Sequence, residues 1–303
     1  MALKLIKNKI KSTGRTSKVT KAMEAVSAVK MRKSQERALS GRPYAEAALR
    51  VLTRITKTTN LNQQALPKES ATKHDCIIVV TSDKGLAGSL NSAVLKEAHT
   101  YIDRHEMKNL ELICFGRKSY EHFTHRGNTI AKHYINVTDD IHIDEMDEVV
   151  DFVIKKFESG TYKTVGLVYQ NFVSTFEQNA LYREILPLNI KTLESMVESI
   201  VPKEGAYSHV ERQQVAIQYS VEPQETVVYN TLFPMLIRSM LYHALLESKA
   251  SEHSARMVAM KNATDKAREM TRSLTLLYNK ERQSVITAEV SEITGGIEAM
   301  SKK

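Results

Sequence analysis

The sequence predicts a two-part fold. The N- and C-terminal arms form a long antiparallel coiled coil, and the middle of the chain forms a mainly parallel α/β domain. Three observations carry this prediction. Helix breakers are scarce, with 11 Gly and 6 Pro in 303 residues, where average usage would give about 21 and 15. They also avoid the ends: Gly14 is the only one from Met1 to Ser40, and Met235 to Thr294 has none. Finally, charge divides along the same boundaries. Residues 1–57 hold 15 Lys+Arg against 3 Asp+Glu, residues 58–223 hold 17 against 23, and residues 224–303 hold 11 against 9. The net charge of +8 therefore combines two basic arms with an acidic body.

The first arm, residues 1–57, reads as helix. Leu3, Ile6 and Ile10 step by three and four, and Val19, Met23 and Val26 continue an apolar stripe flanked by Ala22, Ala25 and Ala28. Leu49, Leu52 and Ile55 carry it onward, with a kink expected at Pro43. In the last arm, residues 224–303, Leu241, Leu245, Ser248, Ser251, Ala255, Ala259 and Asn262 form a narrow stripe. Met270, Leu274, Leu277, Val285, Ala288 and Ile293 extend it, and Gly295-Gly296 reads as the stop. Sixty uninterrupted residues would make a rod of about 90 Å. A helix of that length needs a companion to bury its stripe. Both arms leave the same body, so the pair is antiparallel, and Ser and Ala in the seam permit close approach.

The body, residues 58–223, alternates strands and helices. Cys76–Val80 is a short apolar run, followed by a turn from Thr81 to Gly88 and a helical pattern from Leu90 to Ile102. A strand over Leu110–Phe115, a helix near Lys118–His125 and a strand near Ile130–Tyr134 come next. An amphipathic helix over Glu145–Phe157 and a strand over Thr164–Tyr169 complete the alternation. Such alternation implies a mainly parallel, Rossmann-like sheet. Phe176–Leu186 and Gln213–Tyr219 alternate apolar and polar residues, as edge-side strands do. Residues 58–74 and 198–212 read as polar linkers.

Several function classes are excluded or disfavoured. Cys76 and Cys114 are too few for a disulfide scaffold or a four-cysteine zinc site. Lysines interrupt the apolar runs of the N-terminal MALKLIKNKIKS, so no signal-peptide core is expected. The uncharged run Thr226–Ile237 is shorter than the roughly 20 residues that span a bilayer. Ser82–Gly88 has the strand–turn–helix context of a phosphate loop, but matches neither G-x-x-x-x-G-K-[ST] nor G-x-G-x-x-G. A tight structural turn is the expected role. His122 and His125 share a helix face without a companion ligand, and Asp139, Asp140, Asp144, Glu145, Asp147 and Glu148 read as a solvated helix start. No nucleophile–base pair is evident, and neither a cofactor nor a metal is expected.

The basic face of the first arm, with Lys18, Lys21, Lys30, Arg32, Lys33 and Arg37, leaves three readings open. It could bind nucleic-acid phosphates, although no aromatic residues interleave the charges for base stacking. It could be a solvated helix face. It could also meet acidic protein partners.

Four motifs narrow the choice. They are Thr20-Lys-Ala-Met-Glu-Ala-Val-Ser-Ala-Val-Lys-Met-Arg-Lys-Ser-Gln35, Ser82-Asp-Lys-Gly-Leu-Ala-Gly88, Ala255-Arg-Met-Val-Ala-Met-Lys-Asn-Ala-Thr-Asp265, and Leu277-Tyr-Asn-Lys-Glu-Arg-Gln-Ser-Val-Ile-Thr287 with Glu289. In order and spacing the chain resembles the gamma subunit of F-type ATP synthases, while residues 136–212 contribute no matching motif.

The resemblance implies a central-stalk rotor, non-catalytic by itself. Such a shaft carries torque between a membrane c-ring driven by proton or sodium flow and a catalytic ring of alpha and beta subunits, with epsilon beside it. It further implies contacts to the alpha–beta ring from Met23, Lys30, Arg32, Lys33, Arg37, Arg256, Gln283, Thr287 and Glu289, and contacts to the c-ring from Tyr219 and Glu222. On this reading there is no nucleic-acid partner and no direct membrane insertion. The expected place is the cytoplasmic face of a bacterial membrane, or the matrix side of an organellar one. The alternative is a nucleic-acid-binding or scaffold coiled coil with an α/β head, and a third reading is a nucleotide-binding enzyme using Ser82–Gly88.

Overall fold

A computed structural model describes residues 2–58, 74–105, 107, 109–187 and 225–301. In chain order the elements are α1 (Ala2–Thr58), β1 (His74–Val80), α2 (Leu90–Arg104), β2 (Leu110–Phe115), α3 (Arg117–His125) and β3 (Thr129–Tyr134). A 3-10 turn (Ile143–Met146) leads into α4 (Asp147–Glu158), followed by β4 (Tyr162–Phe172), β5 (Gln178–Leu186) and α5 (Glu225–Ser301). α1 continues through Pro43, and α5 contains Pro234. α5 also runs through Gly295-Gly296, so the expected stop is not one. The strand expected at Gln213–Tyr219 lies outside the described residues. The chain divides into two compact units, Met1–Ser27 with Arg256–Lys303, and Ala28–Ala255.

The larger unit holds a five-stranded sheet in the order β3-β2-β1-β4-β5. β1 pairs in parallel with β2 and β4, and β2 in parallel with β3, whereas β5 runs antiparallel to β4 at the edge. β1 shows why its run is continuously apolar: successive side chains point to opposite faces, and both faces are covered. Cys76, Ile78 and Val80 face a cluster with α4 and with Phe233, Ile237, Leu241 and Leu245 of α5. Ile77 and Val79 face a second cluster with Val94 and Ala98 of α2 and Phe123 of α3. α4 opens on Asp147 and Glu148 and closes with Lys155 and Lys156, which complements the helix dipole at both ends. Gly116 ends β2 at φ +91°, where a Cβ would lie 2.1 Å from the Thr81 carbonyl oxygen, so no side chain fits.

In the smaller unit the two long helices share a seam of small residues. Thr20 and Ser27 of α1 and Met260, Thr264 and Ala267 of α5 are buried. Ile6, Ile10, Thr13 and Ser17, with Thr271, Leu274 and Tyr278, are partly covered at the same three–four spacing. This corrects the expected stripes. Val19 and Val26 are 59% and 56% exposed, Ala22 and Ala25 are exposed as well, and so are Asn262, Met270 and Leu277. The reason is that a buried hydroxyl on a helix is readily satisfied. Thr20 donates to the Thr16 carbonyl at 3.1 Å, and Thr264 to that of Met260 at 2.8 Å. The seam therefore takes the small hydroxyl residues and leaves the valines outside.

Candidate functional site

In an open α/β sheet, ligands bind at the carboxyl ends of the strands where the strand order reverses. Here the reversal falls between β1 and β4, and α5 fills it. The Gln170 backbone N–H donates to Ser248 Oγ at 3.1 Å, and Ser251 Oγ donates to the Gln170 carbonyl at 3.4 Å. A void of about 10 Å³ remains beside Ser82, Gly116, Ser248 and Lys249, roughly the room of a single water. The Ser82–Gly88 turn is occupied with itself. The Ser82 N–H donates to Asn91 Oδ1 at 2.9 Å, Asn91 Nδ2 donates to Ser82 Oγ at 2.8 Å, and Ser82 Oγ donates to the Lys84 carbonyl at 2.6 Å. The Ser119 N–H donates to Thr81 Oγ1 at 2.8 Å. These groups build a turn; they do not point at a ligand.

The loop between β3 and the 3-10 turn gathers several ion pairs. Lys30 Nζ of α1 reaches Asp139 Oδ2 at 2.6 Å, and Arg37 donates to the Asp139 carbonyl at 2.9 Å. Asp140 pairs with Lys33 at 3.1 Å and with Arg37. From α5, His253 Nε2 meets Asp139 Oδ1 at 2.9 Å, and Lys249 Nζ donates to the Val137 carbonyl at 2.8 Å. His253 is buried. Its Nε2 faces a carboxylate and so carries the proton. The hydrogen bond from His253 is the main influence holding the Asp139 carboxyl well below the usual carboxylate range; burial opposes it and Lys30 reinforces it. Lys33, then Arg37, lower Asp140. The expectation of a solvated acidic helix start is therefore corrected at Asp139, which is partly covered, whereas Asp140 is exposed as expected but paired. Asp147 and Glu148 pair with Arg238 and Lys132, while Glu145 caps the His142 N–H at 2.8 Å.

The expected ring-contact residues divide into three groups. Lys30, Lys33 and Arg37 make ion pairs or hydrogen bonds to the chain's own loop at Asp139 and Asp140. Arg32, Gln283, Thr287 and Glu289 are exposed, and Met23 is partly covered. Arg256 is only 8% exposed and is not without a partner. Tyr219 and Glu222 lie outside the described residues. His122, expected to share a helix face with His125 without a companion ligand, meets His99 of α2. No signal in either residue's neighbourhood pointed to that pairing, because it joins two helices. Among the described residues no group of three or more His, Cys, Asp and Glu could hold a metal ion, and no helix is long and apolar enough to cross a membrane.

The crevice at the strand-order reversal is occupied by the chain's own α5, and the charged loop is bonded by the two longest helices, so the class is an α/β domain built onto a pair of long helices. Comparison with known proteins agrees. A family model described as ATP synthase matches residues 2–300. The ATP synthase gamma chain of Pelotomaculum thermopropionicum is 39% identical over 99% of both chains. The sodium-ion-specific gamma chain of Acetobacterium woodii is 36% identical over 98% of both. Among solved structures, a chain of the Euglena gracilis mitochondrial ATP synthase assembly of OSCP, F1 and c-ring has TM-score 0.65 at 17% identity, covering 99% of this chain and 94% of that one. A chain of the Tetrahymena thermophila central stalk and c-ring has TM-score 0.59 at 24% identity, covering 81% and 99%. These structures show a shared fold. The chain belongs to the ATP synthase gamma-chain family. It is a non-catalytic subunit of an ion-translocating rotary ATP synthase.

Proposed function

We propose that this chain is the rotor shaft of a bacterial-type ATP synthase on the cytoplasmic face of the membrane, carrying torque between a c-ring and a catalytic ring of alpha and beta subunits, with epsilon beside it. The observation that supports this most directly is the end of α5. From Arg282 to Ile297 every residue is exposed, including Val285, Ile286, Val290, Ile293 and Ile297. A single helix with apolar residues on its surface is stable only when something encloses it, and a ring of subunits does so. Gln283, Thr287 and Glu289 lie in this stretch and would supply its polar contacts, with Arg32 adding a positive charge and Met23 and Arg256 lying nearer the seam. Tyr219 and Glu222 would reach the c-ring. Exposed contacts worth about 0.2–1 kcal/mol each break and re-form readily, as a turning part requires. The chemistry remains in the ring, and the shaft decides which catalytic subunit changes state.

The test is reconstitution with alpha and beta subunits. The full chain should restore a stable complex with nucleotide-hydrolysing activity, and a chain ending at residue 281 should bind the ring far more weakly. Equal binding by the two would remove the α5 end from the interface.

A further inference from the structure

The rotor reading leaves one requirement unmet: torque applied to an α/β domain reaches the long helices only if the two cannot slip. We propose that Asp139 and Asp140 are positioning residues, forming a charged clamp that fastens α1 and α5 to the α/β domain so that they turn as one body. The proposal rests on the rotor reading and concerns a loop for which that reading needs no partner.

Six side chains from the two helices converge on residues 137–141. α1 contributes Lys30, Lys33 and Arg37. α5 contributes Lys249 and His253, together with Tyr242, whose hydroxyl donates to the Ile141 carbonyl at 3.3 Å. Asp139 is the pivot, because one carboxylate oxygen takes Lys30 of α1 and the other takes His253 of α5. Lys249 adds a longer contact to Asp139 at 3.9 Å, and Glu252 lies 3.8 Å from Lys249. Apolar packing of α5 on the sheet resists separation but is non-directional. Charge-assisted hydrogen bonds fix direction, and contacts from two helices to one dipeptide oppose twisting of either. The clamp also uses three cations that the basic face would otherwise offer to the ring.

The experiment compares the complete synthase, reconstituted in vesicles, carrying wild-type chain, the Asp139→Asn/Asp140→Asn pair, or Asp139→Glu. The readouts are ATP hydrolysis and ions pumped per ATP against an imposed gradient. With the paired variant, hydrolysis should stay near wild type while pumping per ATP falls roughly twofold or more, as expected for losing several charge-assisted bonds. Asp139→Glu, which keeps the carboxylate, should retain most of the coupling. A merely structural role would lower both readouts together. If the paired variant does not assemble, Lys30→Gln/Lys33→Gln empties the clamp from the helix side and is read in the same way. Coupling that survives loss of the carboxylates but falls when the lysines are changed would overturn the clamp and return those lysines to the ring. Failure of the wild-type chain to support any coupled pumping would instead count against the rotor reading itself.

Discussion

The hydroxyls of Thr20 and Thr264, 244 positions apart in the chain, meet at 2.6 Å inside the seam between α1 and α5. Each also lies within hydrogen-bonding distance of a carbonyl one turn back in its own helix, so one hydroxyl donates across the seam while the other accepts that bond and donates to its own helix. The seam therefore carries a polar contact among its apolar side chains. Replacing Thr20 with Val removes the cross-seam hydrogen bond and leaves Thr264 only the Met260 carbonyl, and should cost about 1 kcal/mol. The double change Thr20→Val/Thr264→Val should cost less than the two singles added together, because each single already removes the one bond that the pair shares. Denaturant unfolding followed by helical circular dichroism measures both; strict additivity would show that the pair contributes no coupling.

Gly116 and Gly127 make a controlled comparison. Both have positive φ, +91° and +72°, but a Cβ at Gly116 would press on the Thr81 backbone, whereas nothing lies within 4 Å of one at Gly127. Gly127→Ala should cost about 1–3 kcal/mol of backbone strain. Gly116→Ala should cost clearly more and leave little folded α/β domain, measured by the yield of soluble chain and its unfolding midpoint.

Histidines 99 and 122 set a pH limit on the packing of α2 against α3. Their Nε2 atoms are 2.8 Å apart, and Arg126 donates to His99 Nε2 at 2.9 Å, which requires that nitrogen to be bare. Burial first, then Arg126, lower the pKa of both rings, and Asp103 opposes this at His99. A folded value below the unfolded one means that stability is fully present above the ordinary histidine value of about 6.5. It is lost as pH falls through the lowered folded values. Stability should thus drop as pH falls below about 6.5, and His99→Gln/His122→Gln should flatten that slope. Asp139 is also depressed, but its window opens only as pH falls through the ordinary carboxylate value of about 3.9, so the clamp should outlast the histidine pair on acidification.

Gly295 and Gly296 lie within α5, in open space. Ala at either position should stabilise the helix end by about 0.5–1 kcal/mol. Helical signal from the isolated chain should rise slightly, with its remaining unfolding unchanged; a fall would mean that the glycines mark a stop after all.

Val290 and Ile293 are exposed. Changing Ile293 to Lys should leave the unfolding of the isolated chain within about 0.5 kcal/mol of wild type. The same change should weaken association with alpha and beta subunits, measured by co-sedimentation.

What could be read without the fold was whatever depends on neighbours in sequence. Scarcity of Gly and Pro marked the two long helices, period-two and fully apolar runs marked the strands, and the order of strand and helix marked a parallel sheet. Local chemistry also placed the Ser82–Gly88 turn and showed that it lacks a phosphate loop's glycines. Four motifs pointed to the family. The buried face of α1 was not legible, because the apolar pattern points to Val19 and Val26, while Thr20 and Ser27 are buried instead and Thr20 finds hydrogen bonds within its helix turn and across the seam. Nor was the continuation of α5 through Gly295-Gly296, since glycine permits a helix end without compelling one. The acidic loop looked solvated, because nothing near Asp139 in sequence shows that Lys30 lies 109 positions away and His253 114 positions away, each within hydrogen-bonding distance. Periodicity and composition act over a few residues, so the chain by itself determined its helices, strands and kinship. Which charges neutralise one another depends on distances that exist only after three remote segments have packed, and that the tertiary structure alone decided.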